Sequence, residues 1–141
     1  MSYILTLSND SVYLILRVRG DLTAKLALKY NLIAHNLGQE IGINRYLIDL
    51  TESRNVDSII NNYYFAYNDM NNPGIDKTAF TAFLVNADDK SHDIVETFAK
   101  NAGLNVSLFT NWNDAERFLN PIENVSQKRR ISYRTKSAVS A

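Results

Sequence analysis

The chain reads as an α/β domain on a mixed five-stranded sheet: a short leading strand makes a β-hairpin, and from residue 11 the order is β-α-β-α-β-α-β-α. Three features carry this reading. Val12, Leu14, Leu16 and Val18 alternate with Tyr13, Ile15, Arg17 and Arg19, the period of a half-buried strand. Further on, β-rich runs alternate with apolar stripes at helical spacing. The segments between these strands are long enough for helical crossovers, which predicts parallel pairing and right-handed connections after the hairpin.

Residues 3–7 form a short apolar run, and Ser8, Asn9 and Asp10 carry turn chemistry, which closes the hairpin. Gly20 ends the second strand. Asp21 or Thr23 then caps a helix whose Leu26, Tyr30, Ile33 and Leu37 fall on one stripe, with Gly38 placed to stop it. A third strand, residues 46–50, lacks clean alternation, which predicts apolar cover on both faces. Its helix opens near Asp57 or Ser58. There Ile60, Tyr63, Tyr64 and Tyr67 are spaced to face the sheet, and Val56 with Ile60 to staple the first turn. Residues 68–74 are turn-rich and include Pro73-Gly74. Residues 78–85 read as a central strand and 86–89 as a loop. The next helix presents Ile94, Val95, Phe98 and Ala102 and stops at Gly103. Residues 106–109 form the last strand. Asn111 or Asn113 caps a fourth helix with Ala115, Phe118 and Leu119, and Pro121 blocks its continuation.

This gives one domain over residues 1–120 and a tail over 121–141. The tail is expected to be mobile, because it holds few large apolar residues. It carries Lys128, Arg129, Arg130, Arg134 and Lys136 against Glu123, a balance of +4; the net charge is 0, so the domain itself is at −4. The absence of cysteine excludes disulfides and thiolate metal sites and agrees with a cytoplasmic home. No signal peptide and no membrane span are expected.

The chain is organised around residues 45–67. A buried strand, Tyr46-Leu47-Ile48-Asp49-Leu50, runs into a polar loop, Thr51-Glu52-Ser53-Arg54-Asn55, and then into the helix at Asp57-Ser58. A strand that delivers a helix start presents free N–H groups and a positive dipole end at its carboxyl edge, where ligands of open α/β sheets collect. The candidate docking residues are Asp49, Thr51, Glu52, Ser53, Arg54, Asp57 and Ser58.

Several pieces resemble the sulfate-transporter and anti-sigma-factor-antagonist (STAS) family, in its SpoIIAA-like branch. They are the hairpin ending in Gly20 before a long helix, Leu47-Ile48-Asp49-Leu50 before polar residues, Lys77-Thr78-Ala79-Phe80 opening a strand, and residues 106–109 followed by Asn113-Asp114-Ala115-Glu116-Arg117-Phe118-Leu119. The likeness covers roughly residues 3–120. It implies strands in sequence order and helices mostly on one side of the sheet. The other face would then be partly open, with Tyr13, Ile15 and Phe83 on it, and either that face or the helix at 57–69 is expected to be a partner surface, for a homodimer or another protein. Antagonists of this family carry an Asp-Ser-Ser/Thr-Gly motif whose first Ser accepts phosphate and opens a helix that docks on a kinase. Asp57-Ser58 stand in its first two places, with Ile59 and Ile60 in the next two. The resemblance thus marks Ser58 as a phosphosite; a dianion at a helix start is stabilised. From residue type alone, Asp57 or Ser58 is a helix cap.

Other chemistry is thin. His35 and His92 have no further ligand at metal spacing and read as surface or helix-end residues, so neither metal nor cofactor is expected. Asp49, Glu52 and Asp57 lack a nucleophile-base-orienter set, and Asp49 reads as an acceptor of loop N–H groups. Asp88, Asp89 and Asp93 read as first-turn acids. Tyr63, Tyr64, Phe65 and Tyr67, with Phe80 and Phe83, either fill the core or line an apolar pocket or interface, to which Tyr13 is added as a candidate. The fold class is similar in shape to lipid-transfer domains of the SEC14 type, which extends the pocket reading to an apolar ligand. The basic tail reads as a solvated segment, and no nucleic-acid partner is expected. The sequence therefore points to a non-enzymatic docking module, with a carrier of a small apolar or anionic ligand as the alternative.

Overall fold

The computed structural model describes residues 2–121. Strand β1 (Ser2–Leu7) leads into β2 (Leu14–Leu22), followed by α1 (Ala24–Ile41), β3 (Arg45–Asn55), α2 (Ile59–Tyr67), a 3-10 turn (Asp69–Asn71), β4 (Phe80–Leu84), α3 (Asp93–Asn101), β5 (Asn105–Phe109) and α4 (Trp112–Leu119). The five strands lie in sequence order across one sheet. β1 pairs antiparallel with β2, and every later pairing is parallel. The expected mixed α/β sheet is present. The boundary expected after residue 120 and the basic tail lie outside the described residues, apart from Pro121.

Strand periodicity sorts the core into two layers. Leu14, Leu16, Val18, Tyr46, Ile48, Leu50, Phe83 and Val106 pack on one face with Tyr30 and Ala34 of α1 and Ala99 of α3. Tyr13, Leu47, Ala82 and Leu84 pack on the other with Ala115 and Leu119 of α4. β3 feeds both layers, which explains its unbroken apolar run. The expectation of a second face open at Tyr13 and Phe83 is corrected. Tyr13 is buried in the layer under α4. Phe83 pairs with Ile48 in the β3–β4 ladder and so shares its face, toward α1 and α3.

Gly38 does not stop α1. The helix runs one turn further and ends at Gly42, whose φ of 75° is left-handed and whose N–H reaches the Gly38 carbonyl. Gly38 is needed for closeness: a Cβ there would lie 2.6 Å from the Ile43 carbonyl oxygen and collide with the Tyr46 hydroxyl. That hydroxyl donates to the same Ile43 carbonyl at 3.2 Å. His35, expected at a surface or a helix end, is buried in the middle of α1. Its ring stacks on Tyr46 with centroids 4.3 Å apart, and its Nδ1 accepts from the Asp76 N–H at 3.0 Å. His92 does mark a helix start, the N-cap of α3, but it too is buried.

Two outcomes test this packing. Gly38→Ala gains helix propensity yet overpacks the α1–β3 contact, and a net loss of about 2 kcal/mol in urea unfolding is expected. Burial pushes His35 down to about 4, with Asp76 pulling more weakly the other way. The unfolded chain, near 6.5, binds the proton more readily, so stability is complete above that pH. It is lost as pH falls toward 4, by about 3 kcal/mol. His92 is shifted the same way by burial. His35→Asn keeps an acceptor for Asp76 without a titrating group, and a flatter stability profile between pH 6.5 and 4 is expected.

Candidate functional site: the end of β3 and the start of α2

The stretch 51–55 is strand, not loop. β2 continues past Gly20, and the ladder resumes after an irregularity at Arg17/Arg19, pairing Arg19 with Glu52, Gly20 with Ser53, Asp21 with Arg54 and Leu22 with Asn55. Polar residues hold this extension. Arg17 Nε donates to Asp49 at 3.0 Å, Arg19 is ion-paired with Glu52, and Ser53 Oγ donates to the Gly20 carbonyl at 2.9 Å. Asp49 also accepts from the N–H and hydroxyl of Thr51 at 3.0 and 2.7 Å, the acceptor role expected of it. Polarity suggested a loop; cross-strand pairing of opposite charges makes it a ladder.

Beyond Asn55 the chain turns sharply, and one carboxylate organises the turn. Asp57 Oδ2 accepts from the N–H of Ala24, the first residue of α1, at 2.7 Å. Its Oδ1 accepts from the Ser58 N–H at 2.8 Å and from Asn61 Nδ2 at 2.7 Å. Asp57 therefore caps a neighbouring helix and braces its own. The Ala24 bond, then the Asn61 bond, hold its carboxyl below the usual range. Ser58 is exposed and is the N-cap of α2, accepting from the Asn61 N–H at 3.1 Å; Thr23 caps α1 from Leu26 N–H at 3.3 Å.

Two asparagines, Asn55 at the end of the expected loop and Asn62 inside α2, complete the join. Asn55 donates to Asn62 Oδ1 at 3.1 Å and accepts from the Asp57 N–H at 3.1 Å. Asn62, buried, donates to the Ser58 carbonyl at 2.9 Å. This fixes the rotation of α2 and corrects its predicted stripe. Asn62, Phe65 and Ala66 face inward, while Ile60, Tyr63 and Tyr64 face solvent. Val56 and Ile60 are both largely exposed, so no buried staple forms. The signal that could have shown this was a polar pair at Asn61-Asn62 inside an otherwise charge-free helix.

The outer side of α2 is a continuous apolar strip. Val56 is 49% exposed, Ile59 66%, Ile60 67%, Tyr63 48% and Tyr64 53%. Tyr63 packs against Tyr67 at 4.5 Å between centroids and edge-on to Phe98 of α3 at 5.6 Å. Ile59 was absent from the predicted site and is among its most exposed members.

The predicted residues thus separate into groups. Asp49 and Glu52 pair with β2 on the α4 side of the sheet, and Arg54 is exposed beside them. Asp57 and Ser58 stand with the two helix starts. The predicted aromatics do not share a pocket. An apolar cavity of about 50 Å³ lies between the sheet and α2, lined by Leu16, Val18, Ile48, Phe65 and Phe83 among others. Of the predicted aromatics, Phe65 and Phe83 reach it, and Tyr13, Tyr63, Tyr64, Tyr67 and Phe80 do not. Cavities that admit benzene are roughly 150 Å³. Tyr13 lines a different, open cleft of about 430 Å³ with Asp10, Trp112 and Glu116, where burial and then Glu116 push its hydroxyl up to about 12. Among the described residues, no cluster of three or more metal-ligating side chains occurs, and no helix is long and apolar enough to cross a membrane.

The architecture is an α/β fold with strands in sequence order, the arrangement implied by the resemblance to the SpoIIAA-like STAS fold. No family model matches the chain, and no curated protein matches it. Among solved structures, it is similar to an uncharacterized protein of the DUF3478 family, with a SpoIIAA-like fold, from Shewanella loihica PV-4. The two are 17% identical with a TM-score of 0.49, over 84% of this chain and 93% of that one. At that score the likeness carries no weight of its own, and the fold description rests on the strand order and pairing above.

The brace at Asp57 is open to direct measurement. Asp57→Ala removes three accepted bonds across two helix starts and is expected to cost about 2–3 kcal/mol in denaturant unfolding, against about 1 kcal/mol for Ser58→Ala.

Proposed function

We propose that this chain is a non-enzymatic, cytosolic binding module of the STAS type that docks on protein through α2, using the helix start at 56–58 and the apolar strip beside it. The observation that carries the reading is the strip itself. A nine-residue helix without a charged side chain exposes two isoleucines and two tyrosines to solvent. Contiguous exposed apolar surface of this kind marks an interaction site, and aromatic anchors dominate such interfaces.

The ionisable groups near the site support binding over chemistry. Asp49 is occupied by Arg17 and Thr51, Asp57 by three donors, and His92 Nε2 lies 3.2 Å from the Ser53 carbonyl. Each is used to hold the chain. Ser58 offers a point of control. Its hydroxyl is exposed at the helix start, and a phosphate there would lie beside the Asp57 carboxylate and next to the strip. The alternative, a carrier of a small apolar ligand, has the cavity under α2 in its favour, but that space is smaller than a benzene site.

The test places a photoreactive benzoylphenylalanine at Ile60 in the full chain, inside living cells, with the same label at the exposed Asn113 on α4 as control. A discrete protein adduct at position 60 and none at 113 is expected. No adduct at 60, in well-expressed protein, contradicts docking through α2. Ile60→Asp is expected to leave stability within about 0.5 kcal/mol, since an acid in the first helical turn is tolerated, while weakening the association about tenfold or more.

A further inference from the structure

We infer that the partner of the α2 strip is a second copy of this chain, with the two α2 helices packed antiparallel about a twofold axis. This rests on the docking reading above and names the partner.

The strip is built for its own reverse. Ile59, Ile60, Tyr63, Tyr64 and Tyr67 recur at i, i+1, i+4, i+5 and i+8 of α2, one face of a helix that packs along another helix, and Val56 lies exposed just before its start. Its first half is aliphatic and its second half aromatic. Turning one copy by a twofold axis lays Ile59 and Ile60 of each over Tyr63 and Tyr64 of the other. A parallel arrangement would instead stack like on like.

Electrostatics favour the same arrangement. No residue of α2 is charged, so two copies bury no like charges against each other. Asp69 follows the C-terminal end of α2. An antiparallel neighbour brings its own helix start, the positive dipole end, toward that carboxylate. Asp57, at the other end, is already committed to Ala24, Ser58 and Asn61 and is not presented to the second copy as a bare charge.

Size sets the strength. Two isoleucines two-thirds exposed and two tyrosines half exposed offer on the order of 500 Å² per copy. Two such surfaces together just clear the roughly 1,000 Å² expected of a specific interface. A weak dimer follows, with a dissociation constant in the micromolar range.

Sedimentation of the full chain from about 1 to about 500 μM tests this. The weight-average mass is expected to rise from the 16.0 kDa of the monomer toward twice that value. Ile60→Asp is expected to move the midpoint at least tenfold higher while the circular dichroism spectrum stays unchanged. With benzoylphenylalanine at Ile60, the dimer adduct is expected to map to Tyr63 or Tyr64 of the second copy. A chain that remains monomeric at 500 μM overturns the inference, as does a dimer whose midpoint ignores Ile60→Asp. If the chain is monomeric but position 60 still captures a different protein, the docking reading survives and the second copy alone is discarded. If neither occurs, both fall.

Discussion

A single carboxylate settles where two helices begin. α1 and α2 both open at the carboxyl edge of the sheet, so their positive dipole ends stand close together. Left alone, those ends disfavour each other and leave N–H groups without partners. Asp57 lies between them and accepts from both. Its charge serves both dipoles at once, and its low affinity for protons records that load. The long β2–β3 ladder matters here because it carries Asn55, and with it Asp57, out to the level of Ala24.

The rest of α2 follows from how it is held. α1, α3 and α4 sit on the sheet through buried apolar residues. α2 leans on α1 and α3, with a small apolar space between it and the strands. Its ties to β3 are polar, from Asn55 through Asn62, and they run along its inner side. Phe65 and Ala66 fill the inner side beside these polar ties, and a second apolar stripe is left on the outside. The outward stripe is a presented surface because the helix is secured from its start.

Much of the fold was legible because the strands obey simple periodicity. Val12 to Val18 alternates, the parallel connections are helix-long, and Thr23, Ser58 and Asn111 are the caps that side-chain chemistry suggests. The misreadings share one cause: tertiary partners overruled local character. Residues 51–55 are polar and so resembled a loop, yet Arg19 and Asp21 of β2 stand opposite Glu52 and Arg54 and make them a strand. Gly38 resembled a helix stop, yet its role is to admit the Tyr46 ring. Within the site, Asp57 and Ser58 were found because capping is a local property. The orientation of α2 was missed because apolar counting places isoleucine and tyrosine inward, and only the Asn55–Asn62 bond shows otherwise.

Amide hydrogen exchange, followed residue by residue in Asp57→Asn against the parent chain, probes the shared brace most directly. Asparagine keeps the shape and removes the charge that serves both helix starts. The expected result is coupled loss of protection in the first turn of α1 and throughout α2, with the amides of α4 unchanged. Protection in α1 that stays at the parent level while α2 loosens, or no change in either, contradicts a common anchor for the two helices.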